Sequence, residues 1–163
     1  VLDLLLEEET LVRMVSFGMC EEDVETVMKQ PWVMVGSDGR AVSPIGALGK
    51  GKPHPRYYGT FPRVLGRYVR EKGVISLEMA VRKMTYLPAW RLGFRDRGII
   101  REGAWADIVI FNPDKIIDKA TFVDPHQFPI GIEYVIVNGV VVVDKGIHTG
   151  KLPGKVLRKM ILK

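Results

Sequence analysis

The dipeptide Asn138-Gly139, set between two β-branched runs, constrains this chain more than any other feature. Both central residues of a tight hairpin turn need positive φ, and Asn-Gly supplies it at little steric cost. Tyr134-Val135-Ile136-Val137 and Val140-Val141-Val142-Val143 are then the two arms of a hairpin. Asp107-Ile108-Val109-Ile110-Phe111 reads as a further strand. Residues 98–163 are therefore expected to be antiparallel β, and a domain boundary is expected near Arg97.

Residues 1–97 carry a different pattern. Leu2, Leu4, Leu5 and Leu6 before Glu7-Glu8-Glu9 read as a helix entering a turn. Leu11–Phe17, closed by Gly18, reads as a buried strand. Glu21-Glu22-Asp23 places acid in a first helical turn, where the helix dipole favours it. Val24, Val27 and Met28 follow at helical spacing, and Pro31 ends that helix. Trp32-Val33-Met34-Val35 is a second apolar strand. Strand, helix and strand with apolar strands predict a parallel sheet. Arg40–Tyr58 is irregular and rich in glycine and proline. Thr60 is expected to cap the next helix, with Pro62 in its first turn and Phe61, Leu65, Tyr68 and Val69 on its apolar face. Ser76 is expected to cap another helix, on which Leu77, Ala80, Val81 and Met84 repeat. Pro88 opens a third that ends at Gly93.

A chain of 163 residues holds one domain or slightly more. Its 47 % hydrophobic and 26 % charged residues exclude a disordered or collagen-like chain. The net charge of +5 does not by itself imply nucleic acid or a membrane surface. The single cysteine, Cys20, excludes an internal disulfide framework and a four-cysteine zinc site, and it fits a reducing cytoplasm. No apolar run approaches a membrane span. Val1-Leu2-Asp3 opens no basic leader, so no signal peptide is expected.

Asp38 is the sharpest candidate for chemistry. It follows an apolar strand, beside Ser37 and between Gly36 and Gly39. Polar groups at the carboxyl ends of parallel strands form the active sites of α/β folds, and glycines let a ligand approach the backbone. The plainer reading is an Asp-Gly turn. Lys50–Gly59 is a basic, aromatic loop, in which Arg56 can bind a carboxylate bidentately and His54 can exchange a proton. A solvated basic loop bent by its prolines is the alternative. Gly46–Lys52 matches the start of a phosphate-binding P-loop, but Pro53 stands where Ser or Thr is required, so that reading is rejected. His54, His126 and His148 are too scattered to define a zinc site, and the last two read as turn residues. Arg63, Arg67 and Arg70 share a helix face that can meet phosphate, although an ion-paired or solvated face is the default.

Two blocks, Met34-Val35-Gly36-Ser37-Asp38-Gly39 and His54–Gly66, resemble the N-acyl-D-amino-acid deacylases (D-aminoacylases) of the amidohydrolase superfamily. Leu87-Pro88-Ala89, Asp96-Arg97-Gly98, Gly103–Val109, Val137-Asn138-Gly139, Thr149-Gly150 and Pro153-Gly154-Lys155 extend the likeness over nearly the whole chain. The resemblance implies an α/β plus β fold: the C-terminal part of a (β/α)8 barrel over residues 1–97, with C-terminal strands of a β-sandwich over 98–163. Trp32–Val35 is then the last barrel strand. Asp38 becomes the proton-transfer group, with Ser37, Gly39, His54 and Arg56 as substrate-binding residues and no metal ligand assigned. Cys20, at a late helix start, receives no metal-bridging role.

Family members are roughly three times longer, in keeping with a barrel of about 250 residues plus additions. The resemblance therefore implies the C-terminal third of a zinc-dependent cytoplasmic hydrolase acting on N-acyl-D-amino acids. Its metal ligands lie mostly outside this chain, and its partner is the missing N-terminal barrel portion or another copy of itself. The alternatives are a related cyclic-amide hydrolase, such as a hydantoinase or dihydroorotase, and a non-catalytic basic interaction domain. Neither a membrane nor nucleic acid is the expected partner.

Overall fold

The computed structural model describes residues 2–9 and 18–158. Helix α1 is Leu2–Glu7 and α2 is Glu21–Lys29, with Glu21, Glu22 and Asp23 in its first turn as expected. The strand expected at Leu11–Phe17 lies outside the described residues.

Trp32–Val35 does not form a strand. A strand needs a ladder, and among the described residues no other strand runs beside it. Val35 N instead donates to the carbonyl of Lys83 at 3.3 Å. The Lys83 ammonium, in a residue wholly removed from solvent, donates to the carbonyls of Gln30 and Val33, the latter at 2.9 Å. Burial, then the nearby Arg82 charge, lowers the Lys83 pKa. Lys83 thus serves the carbonyls at the end of α2 and in the turn after it, adding a second donor at Gln30 O, which also accepts from Val33 N at 3.2 Å.

After a 3₁₀ turn at Ala47–Gly49, helix α3 spans Arg56–Arg63 and a π-helical segment continues from Val64 to Glu71. The helix starts four residues before the expected cap at Thr60. His54 and Pro55 start it: His54 Nδ1 accepts from Arg56 N at 3.0 Å, and Pro55 sits in helical backbone at φ −52°. Thr60 Oγ1 donates back to Arg56 O at 3.0 Å instead of capping. Pro62, inside the helix, lacks the N–H that the ladder requires. Beyond it the spacing widens, as in the 2.9 Å bond from Lys72 N to Arg67 O.

Helix α4, Leu77–Met84, begins where the sequence indicates, with Ser76 Oγ accepting from Met79 N at 3.2 Å. Helix α5 is Tyr86–Arg91. A four-stranded antiparallel meander follows in the order β1 (Ile108–Phe111), β2 (Ile132–Val137), β3 (Val140–Asp144), β4 (Ile147–His148). Val137 pairs with Val140 across Asn138 (φ 49°) and Gly139 (φ 79°), the expected turn. A second tight turn, Lys145-Gly146, joins β3 to β4. Asn138 also ties the ends of this region together. Its Oδ1 accepts from Arg97 Nη2 at 2.7 Å, and its Nδ2 donates to Pro153 O at 2.8 Å. Asp107 ion-pairs with Arg97 and accepts from Asn138 N at 2.8 Å.

Val64, Leu65, Ala80 and Ile116 form the buried centre, with Phe111 and Ile132 of the sheet packed against it. Ile116 comes from the connection between β1 and β2, so the core crosses the junction near Arg97. Helix and connection touch closely, Gly66 against backbone and Gly59 against a side chain. A Cβ at Gly66 would lie 2.5 Å from Ile116 O, and one at Gly59 would lie 2.8 Å from the Asp118 Cβ. Only glycine fits at those two contacts.

The three helical arginines are all engaged. Arg63 pairs with Asp118 at 2.8 Å and Arg67 with Glu21 at 3.3 Å, while Arg70 Nη1 donates to Ile116 O at 2.6 Å. The ion-paired reading of this face therefore holds over the phosphate-binding one. Among the described residues, no helix is long and apolar enough to cross a membrane.

Candidate active site

The segment after Val35 runs irregularly into a turn in which Gly39 N donates to Ser37 Oγ at 3.1 Å. Asp38 takes left-handed backbone there (φ 47°), which aspartate tolerates better than most residues. Gly39 lies close against the first turn of α3, where a Cβ would stand 3.1 Å from Tyr57 Cα. That approach brings Asp38 to Arg56, with Oδ2 2.8 Å from Nη2. The Asp38 side chain is 85 % exposed and Arg56 40 %. A pair so solvated stabilises a fold by at most about 1 kcal/mol, which leaves both groups available to a ligand. Arg56 also has a buried Nε without a hydrogen-bond partner among the described residues.

A cleft of about 230 Å³ opens here, lined by Ser37, Gly39, Arg40, Ala41, Arg56, Tyr57, Tyr58, Thr60 and Phe61. Three of the four expected substrate-binding positions, Ser37, Gly39 and Arg56, lie in its wall, and Asp38 stands between the first two. His54 has a different duty. Its Nδ1 is occupied as acceptor for Arg56 N, and its ring packs edge-on against Phe122 at 4.9 Å. Burial, then the Arg56 charge, lowers its pKa from 6.5, while Asp38 acts in the opposite direction. The neutral ring suits the acceptor role, and Nε2 remains for a ligand.

Sequence reading did not foresee Tyr58 or His126 at the site. The Tyr58 hydroxyl meets His126 Nδ1 at 3.0 Å, and His126 Nε2 meets Gly51 O at 2.9 Å. His126 is therefore more than a turn residue. His148 ends β4, where its Nδ1 accepts from Gly150 N at 2.9 Å. Cys20 is exposed at the N-terminus of α2. Among the described residues, no three His, Cys, Asp or Glu side chains gather as metal ligands.

A model of the amidohydrolase family matches residues 11–143. An N-acyl-D-glutamate deacylase of Alcaligenes xylosoxydans xylosoxydans is 43 % identical over 145 residues, which cover 89 % of this chain and 28 % of that protein. Among solved structures, an N-acyl-D-glutamate deacylase from Bordetella bronchiseptica, complexed with zinc and a phosphonate mimic of the tetrahedral intermediate, superimposes with TM-score 0.69 at 47 % identity. That match covers 76 % of this chain and 25 % of the other. A D-aminoacylase with a binuclear metal centre superimposes with TM-score 0.73 at 42 % identity, covering 82 % of this chain and 27 % of that one. The chain thus spans little more than a quarter of the length of the curated relative.

Proposed function

The chain belongs to the amidohydrolase family, and from that premise we propose that it is the C-terminal part of a zinc-dependent, cytoplasmic N-acyl-D-amino-acid deacylase. In this reading residues 1–97 are the last βα units of a (β/α)8 barrel and 98–163 are strands of a β-sandwich. The substrate is an N-acyl-D-amino acid, hydrolysed to a D-amino acid and a carboxylic acid. The rest of the barrel, or another copy of the chain, completes the enzyme.

The observation that carries the proposal is the Asp38–Arg56 pair at the cleft, 2.8 Å apart on two segments eighteen positions apart in sequence. Each group supplies one half of the chemistry. Arg56 is the anchor for the α-carboxylate of the substrate, because its partly exposed side chain lines the cleft and its guanidinium fork matches a carboxylate bidentately. Asp38 is the proton carrier. It accepts a proton from the attacking water and delivers it to the leaving amine nitrogen, a base stronger than a carboxylate. Ser37 and Gly39 shape the turn that presents Asp38, and His54 holds the start of α3 and with it Arg56. In this reading most of the zinc ligands of the complete enzyme lie in the missing portion of the barrel.

The test is release of free D-amino acid from N-acyl-D-amino acids by the full-length, zinc-loaded protein, with cyclic ureides as the comparison. Linear substrates are expected to be hydrolysed and cyclic ones not. Asp38→Asn is expected to lower kcat by about 10²–10⁴-fold, the usual worth of a general acid–base group. Wild-type turnover in that variant removes the role assigned to Asp38.

A further inference from the structure

We infer that His126 is a positioning residue of the cleft, holding the loop that carries His54 and Arg56 in place through one fixed tautomer. The inference rests on the deacylase reading for its consequence in catalysis, and on geometry alone for the contact itself.

The Gly51 carbonyl can only accept, so the His126 nitrogen facing it, Nε2 at 2.9 Å, bears the hydrogen. In the neutral ring Nδ1 is then the acceptor, and the Tyr58 hydroxyl donates to it across 3.0 Å. The ring therefore bridges the two ends of the segment 51–58, gripping a backbone group at one end and a side chain at the other. Between those ends lie His54, which caps α3, and Arg56, which reaches Asp38. Tyr58 itself lines the cleft.

The bridge comes from a rigid support. Pro125, next to His126, is fully buried. The loop around it is closed by its own bonds, from Asp124 N to Thr121 Oγ1 at 2.9 Å and from Gln127 Nε2 to Asp124 O at 3.1 Å. Phe122 of the same loop packs on His54. Contacts from one braced loop thus fall on both ends and the middle of the stretch 51–58, on Gly51, His54 and Tyr58.

The experiment compares wild type, His126→Phe and Tyr58→Phe in the full-length protein, by steady-state kinetics and by amide exchange over residues 51–58. Loss of the bridge frees Arg56 from its place, so KM for the N-acyl-D-amino acid is expected to rise about tenfold, the worth of one good hydrogen bond. The kcat is expected to stay within about twofold, since the proton carrier is untouched. Amides of Arg56, Tyr57 and Tyr58 are expected to exchange faster in both variants. A purely structural role would lower the amount of active enzyme and leave KM alone. Tyr58→Phe removes a single hydroxyl, so it decides the matter if His126→Phe does not fold. Unchanged KM together with unchanged exchange overturns the inference. If wild type hydrolyses no N-acyl-D-amino acid, the deacylase reading fails, and the exchange rates alone decide whether His126 holds the loop.

Discussion

Replacing Gly66 with alanine sets two effects of opposite sign against each other. Alanine is a better helix former than glycine by about 1 kcal/mol, so an open helical position would gain stability. Gly66 is not open. The new Cβ would stand 2.5 Å from Ile116 O and 3.1 Å from Ile117 Cα, where ordinary contact begins at 3.4 Å. Helix and connection would have to part by about 0.9 Å to bring the 2.5 Å contact out to 3.4 Å. Overpacking of this kind costs about 1–3 kcal/mol. The same carbonyl also accepts the 2.6 Å bond from Arg70, and loss of a bond to a charged group adds about 1.5–3 kcal/mol. Set against the propensity gain, the net expectation is a loss of about 1.5–5 kcal/mol. At about 2–4 °C per kcal/mol, Tm should fall by about 3–20 °C. Thermal unfolding followed by circular dichroism measures this. Gly154→Ala is the control, since its Cβ would meet no atom within 4 Å. Equal Tm values for the two variants, or a Gly66→Ala protein more stable than wild type, would refute the packing argument.

Asn138 both forms a turn and bridges three segments, and two substitutions separate those duties. Asn138→Gly keeps the left-handed backbone but loses the bonds to Arg97 and Pro153, so urea denaturation should show a loss of about 2 kcal/mol. Asn138→Ala should cost about 1–2 kcal/mol more, because alanine resists φ 49°; equal costs would show that the turn strain is absent. Acid should act through Glu21, whose carboxyl is held below 4.5, first by the hydrogen bond from Lys72 and also by the Arg67 charge. The folded-state value lies below the unfolded one, so this contribution is fully present above pH 4.5 and is lost as pH falls through the lowered value. Urea midpoints measured across that range should fall less steeply in Glu21→Gln than in wild type.

The parts of the fold that local chemistry dictates were legible in the sequence. Asn138-Gly139 and Ser76 act within a few residues of themselves, and both do in the structure what their side chains suggest. Lys145-Gly146 makes an equally tight turn, yet lysine gives no local reason to adopt φ 49°, so it left no signal. Thr60 was a reasonable cap by type, but a histidine ring and a proline upstream start the helix first. Lys83 carries no local signal of burial. Only the fold shows that it ends among the carbonyls of Gln30 and Val33. Trp32–Val35 has strand composition, and composition cannot supply the neighbour that a ladder needs.

The site divides in the same way. Asp38 stands out past an apolar strand between glycines and Arg56 in a basic loop, and their 2.8 Å contact joins residues not far apart in the chain. His126 did not stand out, because its partner Tyr58 is 68 positions away and no local spacing marks the pair. His54 was singled out for proton exchange, whereas its Nδ1 serves the backbone of Arg56.

The close fit at Gly59 and Gly66 limits how this chain can be recombined. The change of pattern near Arg97 invites a cut there, as if helices and meander were interchangeable modules. A chimera that grafts a foreign meander onto these helices inherits a demand for two side-chain-free positions seven residues apart, matched to a connection that can lie flush against them. Shuffling at this point would succeed only between chains that keep both halves of that fit.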